Sequence, residues 1–251
     1  MRTLILSFAV LAPVALVALW PHSPPAAVAV LALSHALLLY PTLRPNVQWL
    51  GPVITRFESS EKEVWLTIDD GPTEDTPAVL ELFARKQVTA TFFVKGELVE
   101  AHPQLIADIL ARGHTVANHS QTHPGGSLWC SPPGRIAREI DRCSDALQAV
   151  TGTRPTWFRA PVGFKNPFFH PLLARRGMQL IGWTARGFDA VVDDPEKVLA
   201  RILPDIEPGA IIVLHQGRSF SLRILERIID ELQHRGYRFV IPDPARLKTN
   251  R

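Results

Sequence analysis

Between Arg2 and Arg44 the chain carries no Lys, Arg, Asp or Glu, and its first acidic residue is Glu58. Such a stretch cannot be an ordinary solvated surface; it has to be covered by protein or by lipid. Thr3–Trp20 and Ala26–Leu43 are apolar runs of about 18 residues each, close to the ~20 that cross a bilayer as a helix. Pro21-His22-Ser23-Pro24-Pro25 breaks the chain between them. The pattern predicts a transmembrane helical hairpin. A cleaved signal peptide is the competing reading, with Ala27-Val28-Ala29 as the cleavage-like site. Against it, the first run exceeds a usual h-region, the second follows at once, and cleavage would leave an apolar N-terminus. Arg2 and Arg44 flank the hairpin and its turn has no Lys or Arg, so the positive-inside rule puts both termini in the cytoplasm. The expected location is the inner membrane, anchored by residues 3–43, with the following domain on the cytoplasmic face; a single span would place it on the periplasmic face. The expected organisation is an anchor over 1–45, a linker over 46–62 and one domain over 63–251.

The chain has 251 residues, of which 46% are hydrophobic and 20% charged, which excludes a disordered segment or a disulfide-stapled miniprotein. Cys130 and Cys143 form no framework and fit no zinc spacing; both read as buried thiols. The formal net charge of +3 nearly vanishes once Arg2 and Arg44 are set aside. A pI of 9.1 therefore gives no basic face, and a nucleic-acid partner is excluded.

From Val64 onward β-rich runs alternate with amphipathic stretches. Val64–Ile68, Ala90–Val94, His114–Asn118, Thr156–Phe158, Met178–Trp183, Ala210–Leu214 and Tyr237–Ile241 read as strands. Thr76–Lys86 and Pro103–Arg112 read as helices, the first with Thr76 as N-cap and Pro77 at N1. Glycines such as Gly177 and Gly236 sit between a helix end and the next strand, where a left-handed residue turns the chain. Sequential β-α-β units imply a parallel sheet and an α/β barrel, short of eight strands.

Polar clusters follow the strands. They are Asp69-Asp70-Gly71-Pro72, His119-Ser120-Gln121-Thr122-His123, Arg159-Ala160-Pro161, Asp189 and His215. Strand C-terminal ends in such folds form one face, where sites are built. Singly, these are a turn, a chance His pair and a structural arginine. Together, two histidines and one carboxylate make a catalytic zinc set. One of two adjacent Asp residues is then free as a base, Arg159 can hold it ionised, and a far histidine can serve as acid. Zinc is the default ion for this set, and Co2+, Ni2+ or Fe2+ fit the same ligands.

Thr67-Ile68-Asp69-Asp70-Gly71-Pro72, His119-Ser120-x-x-His123, Arg159-x-Pro161 and Val213-Leu214-His215 resemble the ordered motifs of polysaccharide deacetylases, the NodB-homology domains of carbohydrate esterase family 4. The resemblance runs from about Glu63 to Pro242. It implies a distorted (β/α)7 barrel and hydrolysis of an N-acyl group from an amino sugar. By position, Asp69 resembles the catalytic base, and Asp70, His119 and His123 the metal triad. Arg159 resembles the arginine that tethers the base, His215 the general acid, and Asp189 the carboxylate that tunes it. The N–H after Pro161, that of Val162, resembles the oxyanion donor. Three positions depart from the family pattern: Val162 stands where Tyr is usual, Ala190 where Trp is common, and Gln216 where Asp is common. These losses imply a changed substrate, with Trp129, Phe164, Phe168, Phe169 and Phe188 as replacement lining, Phe168 and Phe169 reading equally as helix core. The expected substrate is an N-acyl amino sugar in a membrane-proximal, lipid-linked glycan. The alternatives are a periplasmic peptidoglycan or exopolysaccharide deacetylase and a non-catalytic sugar-binding membrane protein.

Overall fold

The computed structural model describes residues 1–249; the last two residues of the expected domain lie outside that range. Helices α1 (Arg2–Leu19) and α2 (Pro24–Leu43) pack against each other as a hairpin, with Pro24 at the N-terminus of α2. Both are long and apolar enough to cross a membrane, and large apolar side chains such as Leu4, Val10, Val14, Val17 and Leu33 stay more than half exposed. They are therefore not core helices of the following domain.

That domain consists, in chain order, of β1 (Ile54–Phe57), β2 (Glu63–Gly71), α3 (Thr76–Lys86), β3 (Ala90–Val94), α4 (Gly96–Ala101), α5 (Pro103–Ala111), β4 (Thr115–Asn118), α6 (Pro133–Thr151), β5 (Trp157–Phe158), α7 (Phe169–Ala174), β6 (Gln179–Leu180), β7 (Ala185–Arg186), α8 (Pro195–Ile202), β8 (Ala210–His215), α9 (Ser221–His234), β9 (Arg238–Phe239) and β10 (Leu247–Thr249). Strands β2 to β8 are mutually parallel, in the order β7/β8-β2-β3-β4-β5-β6. This is the distorted (β/α)7 barrel that the motifs imply, a curled half-barrel. Its open side is bridged by β1, which runs antiparallel to β8 and β10 and meets the chain after β6 through the Ile54–Ile181 bridge. The stretch 46–62 is therefore not a free linker. It looked like one because β1 is only four residues long and pairs with distant strands, which local periodicity cannot report.

Three more local expectations are corrected. Asp75, not Thr76, stands at the N-cap position of α3, without a side-chain cap bond; the Thr76 hydroxyl accepts the Thr73 N–H at 2.9 Å. Cys143 is buried, but Cys130 is exposed, on a 3-10 turn at Leu128–Cys130. The strands expected over Met178–Trp183 and Tyr237–Ile241 shrink to two paired residues each.

The two-residue period of the strands sorts side chains into two layers. On β2, Val64, Leu66 and Ile68 face outward into the core under α3, α5, α8 and α9, with Phe83, Phe92, Ile212, Leu214 and Ile228. Trp65 faces inward, in a second core with Phe93, Trp157, Trp183, Ile211 and Val213. The Trp65 indole donates to the Thr91 hydroxyl at 2.8 Å and its ring lies 4.9 Å from that of Trp157. Side chains fill this interior, and the polar clusters open above it at the C-terminal mouth of the barrel.

The hairpin is tied to that mouth. The buried Lys165 donates through Nζ to the carbonyls of Arg44 and Pro45, at 2.9 and 2.7 Å, where α2 ends. A cation on carbonyls at a helix C-terminus is favourable both as hydrogen bonding and against the helix dipole. The Asn46 side chain donates to the Trp183 carbonyl at 2.8 Å.

Candidate active site

Each inward series continues one step past its core residue into the mouth. Trp65 and Thr67 lead to Asp69, Ile211 and Val213 to His215, Ala117 to His119, and Trp157 to Arg159. The register pairs Asp69 directly with His215 across β2 and β8. Parity thus puts four polar groups, far apart in sequence, on the inward face at the mouth, Asp69 and His215 in register with Phe93 and Ala117, and His119 and Arg159 at the next inward positions.

Arg159 is fully buried. Its Nη1 donates to Asp69 Oδ1 at 2.7 Å and to Thr67 Oγ1 at 2.6 Å, Nη2 to the Gly182 carbonyl at 2.9 Å, and Nε to the Ile181 carbonyl at 3.3 Å. Its guanidinium carbon lies 4.1 Å from the Phe93 ring centroid, a cation–π seat. Burial, the largest single influence, would raise the Asp69 carboxyl pKa, but the Arg159 guanidinium together with His119 and His215 outweighs it and holds Asp69 below the usual carboxylate range.

Asp70, His119 and His123 each offer one atom to a group whose atoms all lie within 4.8 Å of one another. His119 Nε2 stands 3.8 Å and His123 Nε2 3.5 Å from Asp70 Oδ1. The other ring nitrogen of His119 bonds the Arg159 carbonyl at 3.0 Å, which fixes the tautomer that leaves Nε2 with a lone pair. Burial pushes the His123 imidazolium down to about 4, so this ring is neutral near pH 7. The sharpest sign is Asp70 Oδ1 itself, which is buried without a hydrogen-bond partner. An orphaned carboxylate oxygen facing two imidazole nitrogens is a donor set short of a cation. The residues present fit a tetrahedral ion such as zinc with an open position.

The loop carrying the histidines is held locally. Asn118 Oδ1 accepts the Ser120 N–H at 2.8 Å, and Ser120 Oγ accepts the His123 N–H at 3.1 Å. Asp70, Ser120, His123, Val162 and Phe188 all have positive φ, at 74°, 69°, 48°, 59° and 61°. Such backbone is costly outside glycine, most of all for β-branched Val162, and it clusters where function requires it.

Opposite Asp69, His215 receives two contacts from Asp189. One carboxylate oxygen accepts its backbone N–H at 2.6 Å, and the other faces Nδ1 at 3.0 Å. Burial opposes the charged ring, but the Asp189 bond and charge, with Asp69 and Asp70, raise it to about 8.

A cavity of about 240 Å3 joins Asp69, Asp70, His119, His123 and His215 with Val162, Ala190 and Trp183. Pro161 is buried beneath Val162 in a one-turn 3-10 helix. The expected aromatic lining is not there. Trp129 sits half-buried on the Leu128–Cys130 turn, outside the cavity. Phe168 is exposed, and Phe169 is core against Phe158. Phe164 and Phe188 line a neighbouring groove of about 740 Å3. Aromatic identity alone carries no direction, and these rings follow strands whose last inward positions were already occupied. The sequence reading also missed Trp183, Arg186, Val191 and Arg218, which do line the cavity. Arg186 ends β7, three residues before Asp189, and that position was its only signal. Gln216 is occupied structurally, donating to the Thr76 hydroxyl at 3.0 Å.

The comparisons with known proteins agree with this geometry. Residues 57–181 match the family described as polysaccharide deacetylase. A chitooligosaccharide deacetylase of Bradyrhizobium sp. (strain ANU 289) is 33% identical over 195 residues, covering 71% of this chain and 88% of the relative. A peptidoglycan-N-acetylglucosamine deacetylase of Bacillus cereus is 30% identical over 205 residues, covering 79% and 94%. A carbohydrate esterase family 4 pseudoenzyme from Bacillus anthracis superposes with a TM-score of 0.68 at 28% identity, covering 76% of this chain and 68% of that one. With the fold, the motif order and two relatives covered almost end to end, the chain belongs to the polysaccharide deacetylase family, hydrolases of carbohydrate esterase family 4 that act on the carbon–nitrogen bond of N-acetylated amino sugars.

Proposed function

We propose that this chain is a membrane-anchored, metal-dependent N-deacetylase of an amino sugar presented at the bilayer surface. The observation that carries the reading is one cavity with a three-ligand cluster at its centre, a tethered carboxylate on one side and a carboxylate-paired histidine on the other. The pseudoenzyme neighbour makes that completeness decisive: membership alone does not guarantee catalysis, whereas binding a sugar does not need this set.

Asp70, His119 and His123 would hold a divalent ion, zinc by donor type with Co2+, Ni2+ or Fe2+ as alternatives. When bound, such an ion acidifies water and polarises an acyl oxygen. Asp69, kept ionised by Arg159, takes the proton of the water that attacks the acyl carbon. The Val162 N–H stabilises the oxyanion that develops, usually the largest catalytic contribution. His215, protonated with the help of Asp189, gives its proton to the departing sugar nitrogen. The amide C–N bond breaks, and one water is consumed to give the carboxylic acid and the amine.

The exposed apolar faces of α1 and α2 support a hairpin that crosses the bilayer. Trp20 stands at its tip, and a Tyr40–Trp49 ring pair with centroids 5.0 Å apart stands at its base, as interfacial aromatics do. The Lys165 and Asn46 contacts hold the base of the hairpin to the barrel. The site would then work on a lipid-linked N-acyl sugar, on the cytoplasmic face by the Arg2 and Arg44 rule. The names of the relatives favour one alternative, an enzyme on peptidoglycan or chitooligosaccharide, which would need the domain on the periplasmic face.

Two measurements test the proposal. The full chain in detergent is expected to carry about one zinc, lost in His119→Ala; a folded wild type that takes up no metal on zinc reconstitution would leave the enzyme reading without its centre. Exposed Cys130 and buried Cys143 give a natural sidedness probe. A bulky, membrane-impermeant maleimide is expected to label Cys130 only after the inner membrane is permeabilised. Labelling from the periplasmic side in intact spheroplasts would reverse the topology.

A further inference from the structure

The catalytic cavity does not end at its lining. Trp183 and Arg186 line both it and the 740 Å3 groove beside it. The far wall of that groove is the base of the hairpin, with Tyr40, Leu43, Arg44 and Val47. One continuous path therefore leads from the cluster of Asp70, His119 and His123 to the point where α2 would leave the bilayer.

At the junction stands Arg186. Its guanidinium carbon lies 4.5 Å from the Phe188 ring centroid and 5.2 Å from that of Trp183, so two rings hold it in place. Among the described residues it forms no ion pair, and its buried Nε has no hydrogen-bond partner. The nearby carboxylates are otherwise engaged: Asp69 binds Arg159, and Asp189 binds His215 with both oxygens. Arg44 adds a second cation from the hairpin side, against one carboxylate in the groove lining, Asp205. A preoriented, unpaired guanidinium is suited to bidentate recognition of a phosphate.

Resting on the deacetylase reading above, we infer that this groove is an anionic-lipid subsite in which Arg186 binds the phosphate of a polyprenyl-phosphate-linked amino sugar, with the lipid chain passing along Tyr40, Leu43 and Val47 toward the membrane. The N-acyl group then reaches the cluster from the groove side. Arg186 is a specificity residue here, since it touches the part of the substrate that does not react. The replacement of the family's usual Tyr and Trp by Val162 and Ala190 fits a site that takes one sugar and a carrier in place of a sugar chain stacked on aromatics.

The test uses the full chain in nanodiscs. Turnover is compared on a polyprenyl-phosphate-linked N-acetylhexosamine and on a neutral N-acetylchitooligosaccharide. Arg186→Gln is expected to lower the ratio of the two kcat/KM values by about 10- to 100-fold, the size of one charge-assisted phosphate contact, with Arg186→Lys in between. An unchanged ratio, with both substrates slowed alike, would reduce Arg186 to a cation that balances the acidic cavity and overturn the inference. Binding is read separately, without catalysis, with polyprenyl phosphate, polyprenol and inorganic phosphate as probes. Wild type is expected to prefer polyprenyl phosphate to polyprenol and to lose that preference in Arg186→Gln. Competition by inorganic phosphate alone, equal to that of the lipid, would remove the lipid from the subsite. If neither substrate turns over but the binding preference holds, the deacetylase reading fails and the subsite stands. If the neutral sugar turns over and no preference is found, the reverse is true.

Discussion

Asp69→Asn is expected to lower kcat by about 10²- to 10⁴-fold, the range that a positioned general base contributes, while the metal content of the chain stays at the wild-type level. The asparagine keeps the shape of the carboxylate and an oxygen for Arg159, now 2.7 Å from Asp69 Oδ1. It removes only the charge and the capacity to take a proton. The ligand cluster of Asp70, His119 and His123 does not include Asp69, although His119 Nε2 lies 3.8 Å from its Oδ2. Kinetics on an N-acetylated chitooligosaccharide, beside metal analysis of the same preparation, separate the two effects. Activity within a few-fold of wild type would remove Asp69 from the base role. Loss of metal together with activity would make it a ligand.

Arg159→Leu is expected to be the most damaging single change for stability, costing about 3–5 kcal/mol by stranding a buried carboxylate. For a domain of this size that is a fall of roughly 6–20 °C in Tm, at about 2–4 °C per kcal/mol. The leucine also leaves the carbonyls of Ile181 and Gly182 without the donors they now have. The pH dependence identifies the ion pair as the cause. In the wild type the Asp69 carboxyl is depressed, so its contribution is present above the unfolded carboxylate range and lost as pH falls through the lower folded value. Without Arg159, burial dominates and moves the carboxyl above its unfolded value. The neutral form then favours folding, and that benefit is lost as pH rises. The deficit of the variant relative to wild type should therefore shrink between pH 7 and pH 4.5 in thermal melts. A deficit independent of pH would assign the cost to lost packing and hydrogen bonds instead.

The chemistry of the cavity was legible because it is written in residue types whose ordinary surroundings are different. Asp69, Asp70, His119, His123, Arg159, Asp189 and His215 all lie at or just after the C-terminal ends of strands, and in a parallel sheet every strand end of that kind opens on the same face. Strand existence was readable from β-rich runs; which side chain of each run faces inward was not. Val64–Ile68 is apolar on both faces, so only the Trp65–Phe93–Trp157 interior shows that Asp69, and not Asp70, continues the inward series. The substrate lining was legible only in part, at Val162. Phe169 turned to the core and Phe188 to a groove, while Trp183, hidden in a run that looked like strand core, came to the cavity. Direction is a tertiary property of a side chain.

By itself the amino-acid sequence determined the apolar hairpin, the parallel α/β domain and the set of reactive groups, because each depends on local composition, short-range period or order along the chain. Only the tertiary structure decided that Ile54–Phe57 bridges the open side of the curled sheet, that Asp70 keeps an orphaned oxygen, and that Arg186 stands unpaired between the cavity and the base of the hairpin. Those facts depend on strand register, burial and the exhaustion of nearby partners, and none of these exists until distant segments have packed.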